Sequence, residues 1–326
     1  MSTYGLKKES LPDFVAALAR FGEVHGPTVT DDGVPVFRAI NTAAELQLDY
    51  RRTLLPPKKY LLPSTETLLA FSTGKGYRIP AVPDQTIILF GLHPCDLAGI
   101  AYLDRVFLGD EPDPHYKSRR ERTVLVGVTC EQDEFCFCDA SAFPSSVGGD
   151  IFMTDTPEGY HLAASSPRGA EILAGIPMLT STSPLPPAAT ESTPLLEIIE
   201  KCTARGETFS DSPLWQEFAD RCLSCGACSL CCPTCYCFDV REYGLLDGKS
   251  AERIREWDNC LFKVHGVVAG GYNFRQTRAE RFQYRFSHKY LGFGPLRGVV
   301  SCVGCGRCRE VCPVRIDLLE LFQESP

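Results

Sequence analysis

Eight of the 17 cysteines fall into two runs of one pattern, Cys222-x2-Cys225-x2-Cys228-x3-Cys232-Pro233 and, 80 residues later, Cys302-x2-Cys305-x2-Cys308-x3-Cys312-Pro313. Three thiols at this pitch can hold three irons of one [4Fe-4S] cube from a single loop, and in two-cluster ferredoxins the fourth thiol of each run serves the other cube. The expected ligand sets are therefore crossed. One cube takes Cys222, Cys225, Cys228 and Cys312, the other Cys302, Cys305, Cys308 and Cys232. Zinc modules instead use separated C-x2-C pairs around one tetrahedral ion, without three thiols at this pitch followed by Cys-Pro. Two [4Fe-4S] clusters are the expected cofactors.

Nine cysteines remain: Cys95, Cys130, Cys136, Cys138, Cys202, Cys231, Cys235, Cys237 and Cys260. Cys95, Cys130, Cys136 and Cys138 lie just past expected strand ends, where loops of one sheet edge converge. Four thiols make a complete ligand set for a candidate third [4Fe-4S] cluster. Because Cys136-x-Cys138 is tight for two irons of one cube, one of these thiols can be a bystander, with Asp96 as a substitute oxygen ligand. The competing reading is a group of buried inert thiols. Cys235, Cys237 and Cys260 with Asp239 or Asp258 form a further set that is one thiolate short.

Arg275, Arg278, Arg281, Arg285 and Lys289 recur every three or four residues, a basic stripe if the stretch is helical. Such a stripe either faces a cluster or an acidic partner, or is an ordinary solvated helix face. The six histidines show no metal-ligand spacing. There is no G-x-G-x-x-G after a strand, no G-x4-G-K-[ST] loop and no C-x-x-C-H, so no NAD or flavin site of this chain's own is expected.

The elements that must carry these residues follow from periodicity. Phe14, Val15, Leu18 and Phe21 share a helical face; Gln85 to Gly91 is a buried-strand run, and after the His93-Pro94-Cys95 turn a helix begins at Asp96. Thr123 to Val128 is a second buried strand, and Asp150 to Ala164 folds as a hairpin around Pro157-Glu158-Gly159. The stretch TSTSPLPPAATESTP, residues 180–194, is rich in Ser, Thr and Pro and marks a boundary. After it, Leu214, Trp215, Phe218 and Cys222 share a helix face, and Asp317 to Phe322 is helix-like. The expectation is an α+β protein: an α/β domain over 1–180, a linker and helix over 181–205, and an α-helical ferredoxin-like domain over 206–326 with a long insertion between its cysteine runs.

Composition narrows the function. Lys and Arg number 33 against 41 Asp and Glu, a formal charge of -8, which disfavours a nucleic-acid partner or an anionic membrane surface. No apolar run reaches bilayer length, so no membrane span is expected. The N-terminus lacks the apolar core of an export signal, which makes the cytoplasm the expected location. In a reducing compartment, 17 cysteines are better explained by metal than by disulfides.

The segments RCLSCGACSLCCPTCYCFDV (221–240), REWDNC (255–260), AGGYNFR (269–275), SHKY (287–290) and CVGCGRCREVCPVRID resemble the beta subunit of cytosolic NiFe hydrogenases, or sulfhydrogenases. They equally resemble the A subunit of anaerobic sulfite reductase. PPKKYLLPSTETLL (56–69), GLHPCDLAGI (91–100), YKSRR (116–120) and CFC (136–138) extend the likeness over nearly the whole chain. The resemblance implies an electron-transfer subunit of a multi-subunit oxidoreductase. Its partners would be a flavin- and NAD(P)-binding reductase subunit and a NiFe hydrogenase or sirohaem catalytic subunit. A reading of another class is a thiol/disulfide reductase acting at Cys231-Cys232 and Cys235-x-Cys237.

Overall fold

The computed structural model describes residues 2–138, 149–185, 212–290 and 301–320, together with 200 and 204. The linker expected over 181–205 and Cys202 fall almost wholly outside these residues. The chain divides into two compact units, one from Met1–Leu61 and Pro83–Thr193, the other from Leu62–Val82 and Pro194–Pro326. It therefore passes between units three times, where a single boundary near residue 180 requires one passage.

In chain order the strands and helices of the first half are β1 (Thr3–Leu6), α1 (Leu11–Leu18), β2 (Glu23–Val29), β3 (Pro35–Ala39), β4 (Thr65–Ser72), β5 (Gly76–Arg78) and β6 (Ile87–Leu92). There follow α2 (Pro94–Phe107), α3 (Pro114–Glu121), β7 (Thr123–Val128), β8 (Ile151–Thr156), β9 (Gly159–Ala164), α4 (Pro167–Ala174) and β10 (Thr180–Ser181). All except β4 and β5 belong to the first unit. Its strands form one eight-stranded mixed sheet in the order β10-β1-β9-β8-β7-β6-β2-β3, with the β2–β6, β6–β7 and β7–β8 pairs parallel.

β6 and β7 are buried along almost their whole length, which is why they are continuous apolar runs rather than alternating ones. Phe14, Leu18, Ile88, Phe90, Val124, Val126, Ile151 and Leu162 meet in the core. At the end of β6 the register against β7 shifts between Phe90 and Leu92, and Gly91 between them takes φ +85°. A Cβ there would come within 2.9 Å of Pro27. The bulge re-aims the chain into His93, Pro94 and Cys95. Proline at the first turn and Asp96 just behind it start α2.

The second unit corrects the expectation of an α-helical domain. Its elements are α5 (Leu214–Arg221), α6 (Ala227–Leu230), β11 (Phe238–Gly244), β12 (Ser250–Trp257), α7 (Arg278–Tyr290) and α8 (Arg307–Glu310). The insertion between the cysteine runs includes a β-hairpin turning on Asp247-Gly248, where Gly248 has φ +64° and the Asp247 carboxylate accepts from the Lys249 and Ser250 amides at 2.8 Å. β4 and β5 complete a four-stranded antiparallel sheet in the order β11-β12-β4-β5. Glu66 and Arg255 form an ion pair with side chains 4% and 3% exposed, and the Trp257 indole donates to the Leu62 carbonyl at 3.0 Å. The helical part is held by aromatics, Trp215 against Phe286 with ring centroids 5.0 Å apart and Phe218 against Phe282 at 5.4 Å.

Candidate metal centres

The 80-residue sequence repeat is repeated in the backbone. Ser224 and Gly226 in the first run have φ of +52° and +78°, and Gly304 and Gly306 in the second have +63° and +75°. Each pair of left-handed residues turns the chain around its thiols and leads into a single-turn helix, α6 or α8, and these two helices pack together. The Ser224 amide donates to Cys222 Sγ at 3.3 Å, and the Gly304 amide to Cys302 Sγ at 3.5 Å. A Cβ on Gly226 would lie 2.4 Å from Asn259 Nδ2, which itself donates to the Gly226 carbonyl.

The two cysteine runs meet in the structure. One cavity is lined by Cys222, Cys225, Cys228 and Cys312, with Cys308 beside them and Leu261, Phe282, Pro313 and Ile316 as apolar wall. Cys222 interacts electrostatically with Cys228, Cys312 and Cys225, and Cys308 with Cys305, Cys302 and Cys232. The Ile316 amide donates to Cys312 Sγ at 3.3 Å, and the Tyr290 hydroxyl to Cys302 Sγ at 3.5 Å. Burial pushes the Cys222, Cys302, Cys305 and Cys308 thiols upward, Cys305 to about 11. Metal coordination or nearby cations must offset that cost for them to act as thiolates. Among the described residues no three His, Cys, Asp or Glu side chains could share one metal ion.

From Arg278 on the basic stripe is helical, with Arg275 just ahead of the helix, and its last three cations are buried rather than solvated. In α7, Arg281, Arg285 and Lys289 are 6%, 4% and 4% exposed. Arg281 donates to the carbonyls of Leu261 and Gln276 at 2.9 and 2.7 Å, Arg285 to that of Cys228 at 2.8 Å, and Arg278 to that of Cys222 at 3.0 Å. Lys289 donates to the Thr234 hydroxyl, which in turn donates to the Ser301 carbonyl at 2.6 Å. Burial opposes the charge on Arg285, yet Cys228, Cys235, Cys308 and Cys232 hold its pKa well above the usual value. Lys289 is likewise raised against its burial by Cys232 and Cys235. These cations are what sequence reasoning underread, because a charge period by itself does not tell burial from exposure.

In the first unit, Cys95, Asp96, Cys130, Cys136 and Cys138 come together where β6 and β7 end and α2 begins. Cys138 interacts with Cys95, Cys136 and Cys130, and Cys130 with Cys136 and Asp96. Cys136 and Cys138 are hydrogen-bonded thiol to thiol, and this bond, with the amide and charge interactions around it, lowers Cys136 to about 6. The buried Arg52 guanidinium donates to Cys136 Sγ at 3.3 Å and pairs with Asp133. Burial pushes Cys130 up to about 11. Arg52 carried no signal in the sequence beyond being one of an arginine pair.

Of the other cysteines, Cys231 is buried and its thiol is pushed up by burial. Cys235, Cys237 and Cys260 line one cavity, but the thiols pair off, Cys235 with Cys232 and Cys237 with Cys260. The carboxylates considered as completing ligands are engaged elsewhere: Asp239 with Arg241 at 2.9 Å and Asp258 with His265 at 2.5 Å.

Paired cysteine runs with buried cations beside them define an iron–sulfur electron-transfer protein. Residues 221–316 match the family model of the 4Fe-4S dicluster domain. The chain is 34% identical to the sulfhydrogenase 2 beta subunit of Pyrococcus furiosus over 98% of its own length and 97% of that protein's. It belongs to this family of iron–sulfur beta subunits. No solved structure matches it. No helix among the described residues is long and apolar enough to cross a membrane.

Proposed function

We propose that this chain is the electron-relay subunit of a multi-subunit oxidoreductase, passing single electrons between a flavin- and NAD(P)-binding subunit and a NiFe hydrogenase module. The observation that supports this is that Cys312 and Cys308 of the second run line the same cavity as Cys222, Cys225 and Cys228 of the first. In this reading Cys222, Cys225, Cys228 and Cys312 hold one [4Fe-4S] cluster and Cys302, Cys305, Cys308 and Cys232 the other. Cys95, Cys130 and one of Cys136 and Cys138, with Asp96 completing the set and the other thiol a bystander, hold a third. The clusters supply reversible one-electron chemistry. The protein holds the thiols in place through the left-handed turns, donates amide and hydroxyl hydrogens to their sulfurs, and buries cations beside them. The name of the Pyrococcus relative, a subunit of a sulfhydrogenase, favours the hydrogenase partner. The resemblance to the A subunit of anaerobic sulfite reductase keeps the same relay role beside a sirohaem subunit as the second reading.

The test is Cys312→Ser in anaerobically prepared full-length protein. The EPR signal lost should be that of the cube also lost in Cys222→Ser, and the signal lost in Cys302→Ser should persist. If Cys312→Ser and Cys302→Ser remove the same signal, the crossed assignment is wrong. The wild-type chain alone should exchange electrons with artificial dyes and not oxidise NAD(P)H; turnover without partner subunits would instead support a catalytic thiol chemistry of its own.

A further inference from the structure

The β11–β12 hairpin ends where two cysteines that neither cluster needs are brought together. Phe238 pairs with Trp257 at the base of the hairpin, and one residue further out the Asp258 amide donates to the Cys237 carbonyl at 2.9 Å. Two residues past Asp258, Cys260 meets Cys237. The two thiols are hydrogen-bonded to each other, and the Cys260 amide also donates to Cys237 Sγ. Both line a cavity of roughly 740 Å³, counting its open mouth, whose wall includes His265, His288, Arg285 and Lys289. Cys237 is half-buried, and Cys260 is 5% exposed.

Two thiols sharing a hydrogen bond are poorly placed to sit on separate irons of one cube, and the neighbouring carboxylates are already paired. An accessible thiol backed by a buried one is the arrangement of thiol–disulfide exchange, in which the first attacks and the second resolves. We propose that Cys237 and Cys260 form a redox-active dithiol that exchanges with a small disulfide entering this cavity. The Cys237 thiolate attacks one sulfur of the disulfide RSSR, the S–S bond of RSSR breaks, a mixed disulfide forms on Cys237, and the first RS⁻ leaves. The Cys260 thiol then gives up its proton and attacks the Cys237 sulfur. The Cys237–Cys260 bond forms and the second RS⁻ departs. Two electrons pass from the protein thiols to RSSR; the Cys260 proton ends on one RS⁻ to give RSH, and the other RS⁻ takes its proton from solvent. The depressed pKa of Cys237, about 6, supports the role of attacking thiol. The site goes beyond the relay role and does not require it.

The experiment uses anaerobic, full-length, cluster-loaded protein and one equivalent of 4,4′-dithiodipyridine. Released thiopyridone is measured first, then iodoacetamide trapping and peptide mapping locate the oxidised cysteines, with iron assayed before and after. Wild type should release two thiopyridones per reagent and yield a peptide linking Cys237 to Cys260, with iron unchanged. Cys260→Ser should release one and retain the other on Cys237. Cys237→Ser, which leaves the resolving thiol alone, should show no label at Cys260 and the same iron. Lower iron in either purified variant than in wild type would make the pair a metal site and overturn the proposal. So would a wild-type map with oxidation elsewhere and no Cys237–Cys260 link.

Discussion

The pairing of β4 with β12 makes a segment from the first quarter of the chain part of the cysteine-bearing unit, and Glu66 is the residue whose loss tests it. Its carboxylate accepts from Arg255 Nε at 2.8 Å and from a terminal nitrogen at 2.5 Å, with both side chains at 4% exposure or less. Glu66→Leu removes the anion and leaves a guanidinium out of water, which costs about 3–5 kcal/mol when a buried pair is broken from one side. At roughly 2–4 °C per kcal/mol for a unit of this size, the melting point should fall by on the order of 10 °C. Replacing both partners, Glu66→Leu with Arg255→Met, leaves no buried charge and should recover most of the loss. Both tryptophans of the chain, Trp215 and Trp257, lie in this unit, so their fluorescence during guanidinium unfolding of the anaerobic holoprotein reports on it selectively. A Glu66→Leu midpoint within about 1 kcal/mol of wild type, or a double variant as unstable as the single one, would refute a buried pair tying β4 to β12.

Arg285→Gln should lower the potentials of both dicluster centres, because a unit charge about 8 Å from a redox centre at an effective dielectric near 20 is worth roughly 2 kcal/mol, on the order of 90 mV for one electron. EPR-monitored titration checks this, with Arg285→Lys expected to restore most of the shift; unchanged potentials at full iron content would count against it. Iodoacetamide labelling of Cys237 should rise through pH 6 and level off well below pH 9. Its thiolate, favoured by Cys260 and Lys289 and opposed by burial and Asp258, is present above about pH 6; a rate still climbing at pH 9 would contradict the depressed value. Cys95→Ala should cost iron, about four atoms per chain if a cubane is lost, while leaving both dicluster EPR signals in place. Iron unchanged from wild type would return the first-unit thiols to simple packing.

How much of this was legible in the sequence depended on the range of the interaction. The ferredoxin pattern is local: thiol spacing, Cys-Pro and the glycines at 226 and 306 sit within a dozen residues, so the repeat was visible and its backbone repeats too. The buried strands β6 and β7 and the helix after His93-Pro94 were also local patterns. The hairpin is missed although Asp247-Gly248 is a turn signal, because the helix face at Leu214, Trp215 and Phe218 before the first run and the helix-like Asp317 to Phe322 after the second point to helix. Nothing local marks Thr65 to Ser72 as belonging to β12, since Glu66 and Arg255 are 189 residues apart. A strand's partner is set by tertiary pairing, which a single-sequence pattern does not encode. The arginine period of α7 was legible, but its burial required knowing that cysteine-run carbonyls and thiols lie beneath it.

That burial bears on what metal does for the fold. Arg285, Lys289 and Arg307 are each at most 4% exposed, and the thiols they face belong to both cysteine groups. Removing an ion from water costs several kcal/mol even after relaxation, so three such cations are tolerable only if comparable negative charge stands beside them. Each oxidised all-cysteine cubane carries about two negative charges, which supplies it. Without iron the thiols themselves are pushed toward neutrality by burial, as Cys302, Cys305 and Cys308 show. The cations then lose their partners and the charge balance fails. The first unit has no such dependence at its centre, where Phe14, Ile88, Phe90, Val124 and Leu162 form an apolar core. Iron chelation should accordingly unfold the second unit first, seen as exposure of Trp215 and Trp257 and rapid proteolysis beyond residue 212, while the eight-stranded sheet persists by circular dichroism. Loss of both units together, or an iron-free second unit as resistant as the loaded one, would show that the buried cations are balanced by something other than the clusters.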